Sequence, residues 1–193
     1  MTSEELSTNE NSSLNQDSPR GPRLIRPAPE YLLSYYQACQ ETWGQIHDSY
    51  ILHDPALFHQ WKDTIFDDYR RHEKGEDLPE GHVPSATFWA AEGNQVIGAV
   101  NIRLELNDFL RTYGGQIGCF VRLSYRGRGY FKRILPLALQ TARQLGIEGE
   151  IPICCLASNT PSRRGLLCGD YRRRDRIEVE YNGQKQEVCR FFF

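Results

Sequence analysis

Arginine and glycine alternate over Arg126-Gly127-Arg128-Gly129, between an apolar run and an amphipathic run, and Lys132 follows closely. Glycines where a strand passes into a helix allow the backbone to approach a ligand closely. The first amides of a helix are unpaired donors at the positive end of the helix dipole, so they can bind an anion without a side chain. The residue types and their spacing therefore indicate a binding site for a phosphate group.

The loop matches neither the Gly-x-x-x-x-Gly-Lys-Ser/Thr pattern of P-loops nor the Gly-x-Gly-x-x-Gly pattern of dinucleotide folds. On residue types alone, a turn whose basic side chains face solvent is an alternative to a phosphate site. The flanking elements matter here, because a phosphate cradle of this kind lies between a strand and the start of a helix.

Helices and strands are predicted on both sides of the loop. The strand before it is "QIGCFVRL"; the helix after it has Phe131, Leu135 and Ala138 on one face, is capped by Gly146 and is expected to bend at Pro136. The other predicted elements are a strand in "LIRPA", helices in "PEYLLSYYQACQETW" and "PALFHQWKDTIFDDYRRHEKGE", a hairpin in "SATFWAAEGNQVIGAVNIRLEL", a strand in "EIPICCLA", a short helix in "NTPSRRGLLC" and a hairpin of "YRRRDRIEVEY" and "QKQEVCRFFF". This order indicates an α/β or α+β domain.

Composition restricts the domain count and the function classes. The chain has 193 residues, of which 39% are hydrophobic, which suits one core. Residues 1–23 are rich in Ser, Asn and Glu and are predicted to form a disordered tail, and residues 24–193 form the single domain. The net charge of -2 and pI of about 6.2 disfavour a general nucleic-acid binder.

Cysteine usage and hydropathy point to a soluble, cytoplasmic protein without a membrane partner. The six cysteines form no Cys-x-x-Cys pair and no zinc spacing, so we expect buried, reduced thiols and no metal site. The N-terminus lacks a signal-peptide pattern, and no apolar run reaches the roughly 18 residues needed to cross a bilayer.

With its flanking segments, the pattern Arg126-x-x-Gly129 resembles the pyrophosphate loop of the GNAT superfamily of acyl-CoA-dependent N-acyltransferases. It departs from that loop at Phe131, where the family has Gly or Ala. The segments "LIRPAPEY", "LPEGHVPSATFW", "IGAVNIRLELNDFL" and "GGQIGCFVRLSYRGRGY" are similar to a bacterial branch of predicted acetyltransferases and cover most of the chain from Leu24 to Gly146.

The resemblance implies an α/β fold with a GNAT-like mixed central sheet, a splayed strand pair and flanking helices. It implies that "QIGCFVRL" bulges and splays from "IPICCLA", so that the pantetheine arm of acetyl-CoA, the co-substrate, lies between them. The implied cofactor-binding residues are the backbone of Cys119, Phe120 and Val121 for pantetheine, Asn159 for the middle of the cofactor, and the pyrophosphate loop of Arg126, Gly127, Arg128, Gly129, Tyr130, Phe131 and Lys132.

Candidate catalytic residues are sparse. Glu105 is our candidate general base, and an exposed carboxylate at a strand end is its alternative; Asp108 is a second candidate near the same strand end. The histidines at 47, 53, 59, 72 and 82 lack a partner pattern, so a solvated or loop-anchoring role is expected for them.

The resemblance marks Arg103 and Asn107 as substrate-binding candidates, each with loop anchoring as its alternative. Leu166 occupies the position where many relatives have a tyrosine acid, and Gln116 the position where His is frequent.

Two functions follow from the resemblance. The first is an acetyl-CoA-dependent N-acetyltransferase that moves an acetyl group directly to a primary amine, which is a small molecule or a protein. The second is a catalytically impaired GNAT-fold module that only binds acyl-CoA. A homodimer is left open.

An arginine cluster is interpreted as a solvated face near the CoA entrance, with a nucleic-acid contact as the alternative; its members are Arg163, Arg164, Arg172, Arg173, Arg174 and Arg176.

Overall fold

A long antiparallel hairpin is the centre of the first of two sheets in the computed structural model, which describes residues 21–45, 52–181 and 183–193. The hairpin consists of β2, Ser85–Glu92, and β3, Gln95–Arg103, and its turn contains Gly93 with φ +56°. Six consecutive residues of β2 and seven of β3 are buried, because helices cover both faces of the hairpin. This arrangement confirms the predicted hairpin.

Two more strands complete the first sheet, in the order β1-β2-β3-β4. They are β1, Arg23–Ile25, and β4, Ile117–Val121. The predicted bulge in β4 is wrong, because β4 pairs with β3 in one unbroken antiparallel register from Ile117 to Val121. The register shift lies instead between Ala90 and Ala91, in the pairing of β2 with β3.

The second sheet has the order β5-β7-β6. Its strands are β5, Pro152–Leu156, β6, Arg173–Tyr181, and β7, Gln184–Phe192. All pairings within both sheets are antiparallel. With its flanking helices, the structure confirms the predicted α/β class.

Helices on one face of the first sheet enclose an aromatic core. They are α1, Leu32–Thr42, α2, Phe58–Trp61, and α3, Ile65–Lys74. Tyr35 and Trp89 stack with ring centroids 4.4 Å apart in this core, beside Ile65 and Phe120. The single helix predicted from Pro55 is split into α2 and α3 by a turn at residues 62–64. The indole N–H of Trp61, the last residue of α2, donates to Asp54 O at 2.8 Å.

The opposite face of the first sheet packs on α4, Tyr130–Gln144. Its buried side chains include Ile134, Leu135 and Ala138, as the predicted helical spacing requires. The helix continues through Pro136, which is exposed. A shorter helix, α5, Thr160–Leu167, follows β5 and packs beside α4.

Two predictions fall largely outside the described residues: the disordered tail and the role of the histidine at position 47. Strand β1 begins at Arg23, the last residue that the sequence placed in the tail. Within the described residues, no helix is long and apolar enough to cross a membrane.

Candidate active site

The two sheets meet at the start of β4 and β5. The backbone N–H of Gln116 donates to Pro152 O at 2.6 Å. Gly115 stands beside this contact with φ +70°, and a Cβ added to it would lie 2.8 Å from Pro152 O and 2.9 Å from Cys154 N. Only glycine can therefore occupy this position while the sheets stay in contact.

Beyond that contact the two strands are not paired with each other. In the part of the chain that the structure describes, β4 pairs only with β3, and β5 only with β7. Each strand therefore presents an edge with backbone donors and acceptors to the space between them. We call this space the β4–β5 gap, and it can accept an extended polar chain as an added strand would be accepted.

The backbone direction alternates along β4. Arg122 N–H donates to Ile97 O at 2.8 Å, and an added Cβ on Gly98 would lie 2.3 Å from Phe120 O. The backbone groups of Phe120 in β4 and of Arg122 directly after it therefore face β3. Successive residues of a strand alternate, so the backbone groups of Cys119 and Val121 face the gap. The predicted pantetheine contacts of Cys119 and Val121 fit this geometry, whereas the backbone of Phe120 belongs to the ladder with β3.

The loop between β4 and α4 has an open surface. Gly127 and Gly129 have φ of +74° and +76°, and a Cβ added at either position would meet nothing within 4 Å. No described residue accepts a hydrogen bond from the backbone N–H of Gly127, Arg128 or Gly129. The first amides of α4, which begins at Tyr130, also lack acceptors within the helix. The loop therefore offers a cluster of backbone donors to an anion.

The comparison with protein families identifies the family of the chain. The profile of the acetyltransferase (GNAT) family matches residues 34–167, which is more than half of the chain. The chain belongs to the GNAT acetyltransferase family. The matched region contains the β4–β5 gap and the loop, and it ends at Leu167, the last residue of α5.

Solved acetyltransferases have the same fold at low sequence identity. RimJ from Mycobacterium smegmatis, in complex with CoA-disulfide, is 16% identical, with a TM-score of 0.66 over 91% of this chain and 83% of RimJ. RimL, a ribosomal L7/L12 alpha-N-protein acetyltransferase in complex with CoA, is 15% identical, with a TM-score of 0.62 over 90% of this chain and 93% of RimL. The microcin C7 self-immunity acetyltransferase MccE, in complex with acetyl-CoA and AMP, is 16% identical, with a TM-score of 0.60 over 91% and 97%. No curated protein matches the sequence.

Basic side chains of the GNAT loop have defined partners. Arg126 Nε donates to Val121 O at 3.0 Å, and burial lowers the pKa of Arg126. The guanidinium of Arg128 lies 5.8 Å from the centre of the Tyr125 ring, and Lys132 is exposed. Arg126 therefore holds the end of β4, while Arg128 and Lys132 can contribute charge to a bound phosphate.

The start of α4 is fixed to the first sheet through Glu92. The hydroxyl of Tyr130 donates to Glu92 Oε2, and this hydrogen bond is the main reason why the pKa of Tyr130 is raised. Arg133 lies 3.6 Å from Glu92 Oε1. These contacts hold the N-terminus of α4 against β2, so they fix the direction of its first amides.

An ion pair between a buried arginine and a half-buried glutamate supports the other end of the loop. Arg122 is 7% exposed and pairs with Glu41 of α1, while Ser124 Oγ donates to Glu41 Oε2 at 2.7 Å. The hydrogen bond from Arg122 is the largest cause that lowers the pKa of Glu41 to about 2. Sequence reasoning missed this pair, because its members are 81 positions apart and neither belongs to a recognisable motif.

Phe131, which departs from the family loop, packs away from the anion site. Its partly buried side chain packs against the core, and a Cβ added to Gly165 of α5 would lie 2.5 Å from Phe131 Cδ1. The glycine in α5 therefore makes room for the ring. Core packing was the expected direction for this side chain, and it leaves the Phe131 amide accessible to a ligand.

Asn159 caps a helix in the structure, and its predicted contact with the cofactor stays a prediction. Its Oδ1 accepts a hydrogen bond from Ser162 N–H at 3.2 Å and caps α5, and its side chain is exposed. Leu166, at the position of the usual tyrosine acid, is 1% exposed and belongs to the core. No proton can come from this position.

The substrate and base candidates differ in their surroundings. Glu105 lies in a bend after β3 and is exposed, which is the alternative that the sequence allowed. Asn107 anchors a loop, because its Nδ2 donates to Gly81 O at 2.9 Å and its Oδ1 accepts from Leu110 N–H at 2.9 Å. The guanidinium of Arg103 donates to Gly114 O and Gly115 O at 3.3 and 3.4 Å, beside the junction of the sheets.

Two of the histidines have surroundings that the sequence did not indicate. His53 lies in the aromatic core, where its Nδ1 is 2.8 Å from the hydroxyl of Tyr35, and burial lowers the pKa of His53 to about 4. His82 is half-buried in a cavity beside Arg103. Of the two expected roles, solvated or loop-anchoring, the hydrogen bond to Tyr35 gives His53 the second.

Carboxylates partly neutralise the arginine cluster of the second sheet. Arg173 pairs with Glu150 at 2.7 Å, and Arg176 pairs with Glu187 at 3.4 Å. Exposed pairs of this kind contribute little to stability. They fit the interpretation of a solvated face.

Proposed function

We propose that this GNAT domain is an acetyl-CoA-dependent N-acetyltransferase that moves the acetyl group directly to a primary amine. The observation that carries the proposal is the β4–β5 gap, which leads to a loop with left-handed glycines and unpaired amides at the start of α4. A gap for an extended amide chain beside a cradle for a pyrophosphate suits the shape and charge of CoA. The acetyltransferases of similar fold that bind CoA or acetyl-CoA support this choice.

Backbone groups of this chain would hold the pantetheine arm and the pyrophosphate of acetyl-CoA. Cys119 and Val121 offer backbone groups to the pantetheine arm, and the amides from Gly127 to Lys132 face the pyrophosphate. Burial raises the pKa of the Cys119 thiol to about 12, so this thiol stays protonated at neutral pH and is a poor nucleophile. Direct transfer without an acetylated cysteine is consistent with that chemistry.

The transfer step requires an amine in its neutral form. The amine nitrogen attacks the thioester carbonyl, a C–N bond forms and the C–S bond breaks, and the amine loses a proton while CoA leaves as a thiolate. A thiol pKa of about 8.5 allows the thiolate to leave and take a proton from water. The chain therefore does not need an acid at Leu166.

A binding module without transfer is the second candidate. The buried Leu166 and the exposed Glu105 favour it, because neither supplies the acid or the oriented base that many relatives use. The two candidates agree on acetyl-CoA binding and differ only in turnover.

Free CoA release over a panel of primary amines tests the proposal. The panel contains amino acids, amino-acid amides, polyamines and peptides with free N-termini, and calorimetry measures acetyl-CoA binding in parallel. Amine-dependent release of CoA supports the transferase. Tight binding without release above the rate of hydrolysis supports the binding module, and the absence of binding contradicts both.

A further inference from the structure

The outer edge of the second sheet is the strand β6, Arg173–Tyr181, which is nine residues long. In the part of the chain that the structure describes, β6 pairs only with β7, and its backbone makes no other hydrogen bond. The opposite edge of this sheet is β5, which faces the β4–β5 gap. An unpaired strand of this length can serve as a template for another strand. The acetyl-CoA site leaves this edge unexplained.

Charges of opposite sign occupy the two halves of β6. The exposed side chains that alternate along one face are Arg174 and Arg176 in the first half, and Glu178 and Glu180 in the second. Ile177 is the midpoint between them and is partly buried. An edge with charges of one sign repels a second copy of itself, whereas this edge attracts a copy that runs in the opposite direction.

The two outer charges of β6 have no partner within the described residues. The inner two, Arg176 and Glu178, form ion pairs with side chains of β7, with nitrogen-to-oxygen distances of 3.4 and 2.8 Å. Arg174 and Glu180 are exposed and make no ion pair or side-chain hydrogen bond in the described parts of the chain. Each lies three positions from Ile177. They are therefore available to a partner outside the chain, at equal distances from one point.

The sequence of β6 is self-complementary in one antiparallel register. Opposite residues of two paired strands direct their backbone groups at each other, so a two-fold axis between two copies of β6 must pass through a residue. An axis at Ile177 places Arg174 opposite Glu180 of the partner subunit. The same axis places Arg176 opposite Glu178 of the partner subunit. Moving the axis by one or two residues in either direction would place like charges opposite each other.

We propose that the chain forms a two-fold homodimer through β6, with Ile177 on the axis. The two three-stranded sheets then form one antiparallel sheet of six strands, with β5 at each outer edge. Cross-strand pairs of opposite charge stabilise this register, and Ile177 contacts Ile177 of the partner subunit. The contact is closed, because each β6 has one free edge. Dimerisation does not depend on acetyl transfer, since both β4–β5 gaps stay open.

Sedimentation equilibrium of the full chain tests the dimer itself. We expect a monomer–dimer equilibrium with a dissociation constant in the micromolar range. The dimer is expected to weaken as the salt concentration rises, because its ion pairs are exposed and screened. A protein that remains monomeric at every concentration overturns the proposal, and so does a dimer that is equally stable at low and high salt.

Charge reversals test the pairing of Arg174 with Glu180. R174E and E180R each place like charges opposite each other twice in the dimer, so we expect each to weaken the parent dimer by about tenfold or more. An equimolar mixture of the two variants is expected to associate again, because opposite charges face each other at both positions of the heterodimer. A mixture that stays monomeric overturns the proposal.

The control for these variants is E148R. It makes the same change in charge as E180R at an exposed glutamate before β5, and it is expected to dimerise like the parent. Thermal unfolding checks that all variants are folded, which their exposed positions favour. Calorimetry is expected to show unchanged acetyl-CoA binding in R174E and E180R, since β6 lies at the edge away from the gap. A dimer weakened equally by E148R overturns the proposal.

Cross-linking tests the register. I177C and V179C are each combined with C168S, because Cys168 is exposed and would react. In the proposed dimer the two copies of position 177 are adjacent, whereas the two copies of position 179 are four residues apart, about 13 Å along the strands. A bismaleimide shorter than this separation is expected to link I177C and to leave V179C unlinked. Linking of V179C, or of neither variant, overturns the register.

Discussion

Single glycines control access to the backbone donors of the loop. Gly129 has φ +76° and open space around it, so a side chain there is strained and stands in front of the amides. We expect Gly129→Val to lower acetyl-CoA affinity by about tenfold or more in calorimetric titration. Equal affinity in the variant would place the pyrophosphate elsewhere.

The control for this substitution lies at the other end of the same helix. Gly146 has φ +83° and also has nothing within 4 Å of an added Cβ. Gly146→Val therefore introduces the same backbone strain, about 1–2 kcal/mol, without approaching the loop. We expect similar losses of thermal stability in the two variants and an unchanged affinity only in Gly146→Val.

The Phe131 ring stabilises the packing of α4 on α5 and leaves the anion site open. Because the ring is only partly buried, Phe131→Ala is expected to cost about 2 kcal/mol, less than the usual loss at a fully buried phenylalanine. Acetyl-CoA affinity is expected to stay within about twofold of the parent. Urea unfolding and calorimetry measure the two quantities. A large gain in affinity would show that the ring obstructs the cradle.

At the residue scale, the sequence predicted roles that depend on neighbouring residues, whereas it did not predict contacts between residues far apart in the chain. Gly127 and Gly129 were predictable because their chemistry depends on their own backbone and on the helix that follows. The pairing of Arg122 with Glu41, and the gathering of His82 with Asn101 and Arg103, depend on residues that only the tertiary fold brings together. The role of Glu105 stays a prediction, since its position near a strand end could not decide between a base and the exposed carboxylate that the structure shows.

The ion pair between α1 and the end of β4 links the first helix to the loop. Glu41→Gln removes the charge that Arg122 faces, and we expect a loss of about 1–2 kcal/mol at neutral pH, a modest value because Glu41 is 33% exposed. Its folded-state pKa, about 2, lies below the ordinary value of 4.5 for a glutamate. The stabilisation is therefore present above about pH 4.5 and is lost as the pH falls toward about 2.

Urea unfolding of the parent and of Glu41→Gln, repeated from neutral pH downward, measures this stabilisation. The difference between their free energies of unfolding should narrow as the pH falls from about 4.5 toward about 2. Comparing the two proteins cancels the contribution of His53, whose folded-state pKa is also lowered. Glu73→Gln, which removes an exposed pair with Arg26, is the control and is expected to cost less than about 1 kcal/mol. A constant difference at all pH values would contradict the prediction.

At the element scale, the helical and strand periodicities were sufficient to predict the order of elements. The final hairpin and α4 follow directly from alternation and from the spacing of apolar residues. The helix predicted from Pro55 to Glu76 continues the same apolar stripe across its break, so periodicity could not show that α2 and α3 are separate. The register of β4 was also beyond the sequence, because a bulge depends on the neighbouring strand.

The arrangement of the whole molecule depends on how the two sheets meet. The family fold made a splayed strand pair predictable, but the contact that creates the splay, between Gln116 and Pro152, joins residues from the two sheets. The position of Gly115 beside this contact had no sequence signal beyond its residue type. The β4–β5 gap therefore follows from a tertiary junction, and the strands themselves do not determine its width.

Gly115 is the position at which that junction can be tested. An added Cβ would lie 2.8 Å from Pro152 O, 2.9 Å from Cys154 N and 3.2 Å from Ile153 Cα, all of them backbone atoms of β5 that cannot rotate away. Gly115→Ala must therefore move β5 from β4 or break the bond from Gln116. We expect a loss of about 3 kcal/mol or more in urea unfolding, together with weaker acetyl-CoA binding, because the gap changes its width.

The control for the junction is Gly149→Ala. Gly149 has φ +71°, nearly the φ of Gly115, but nothing lies within 4 Å of its added Cβ. The backbone strain is therefore common to both variants, about 1–2 kcal/mol, and the excess loss in Gly115→Ala measures the contact between the sheets alone. We expect Gly149→Ala to bind acetyl-CoA like the parent. Equal losses of stability in both variants would mean that β5 can move away from β4 without a cost in free energy. The width of the β4–β5 gap would then be adjustable.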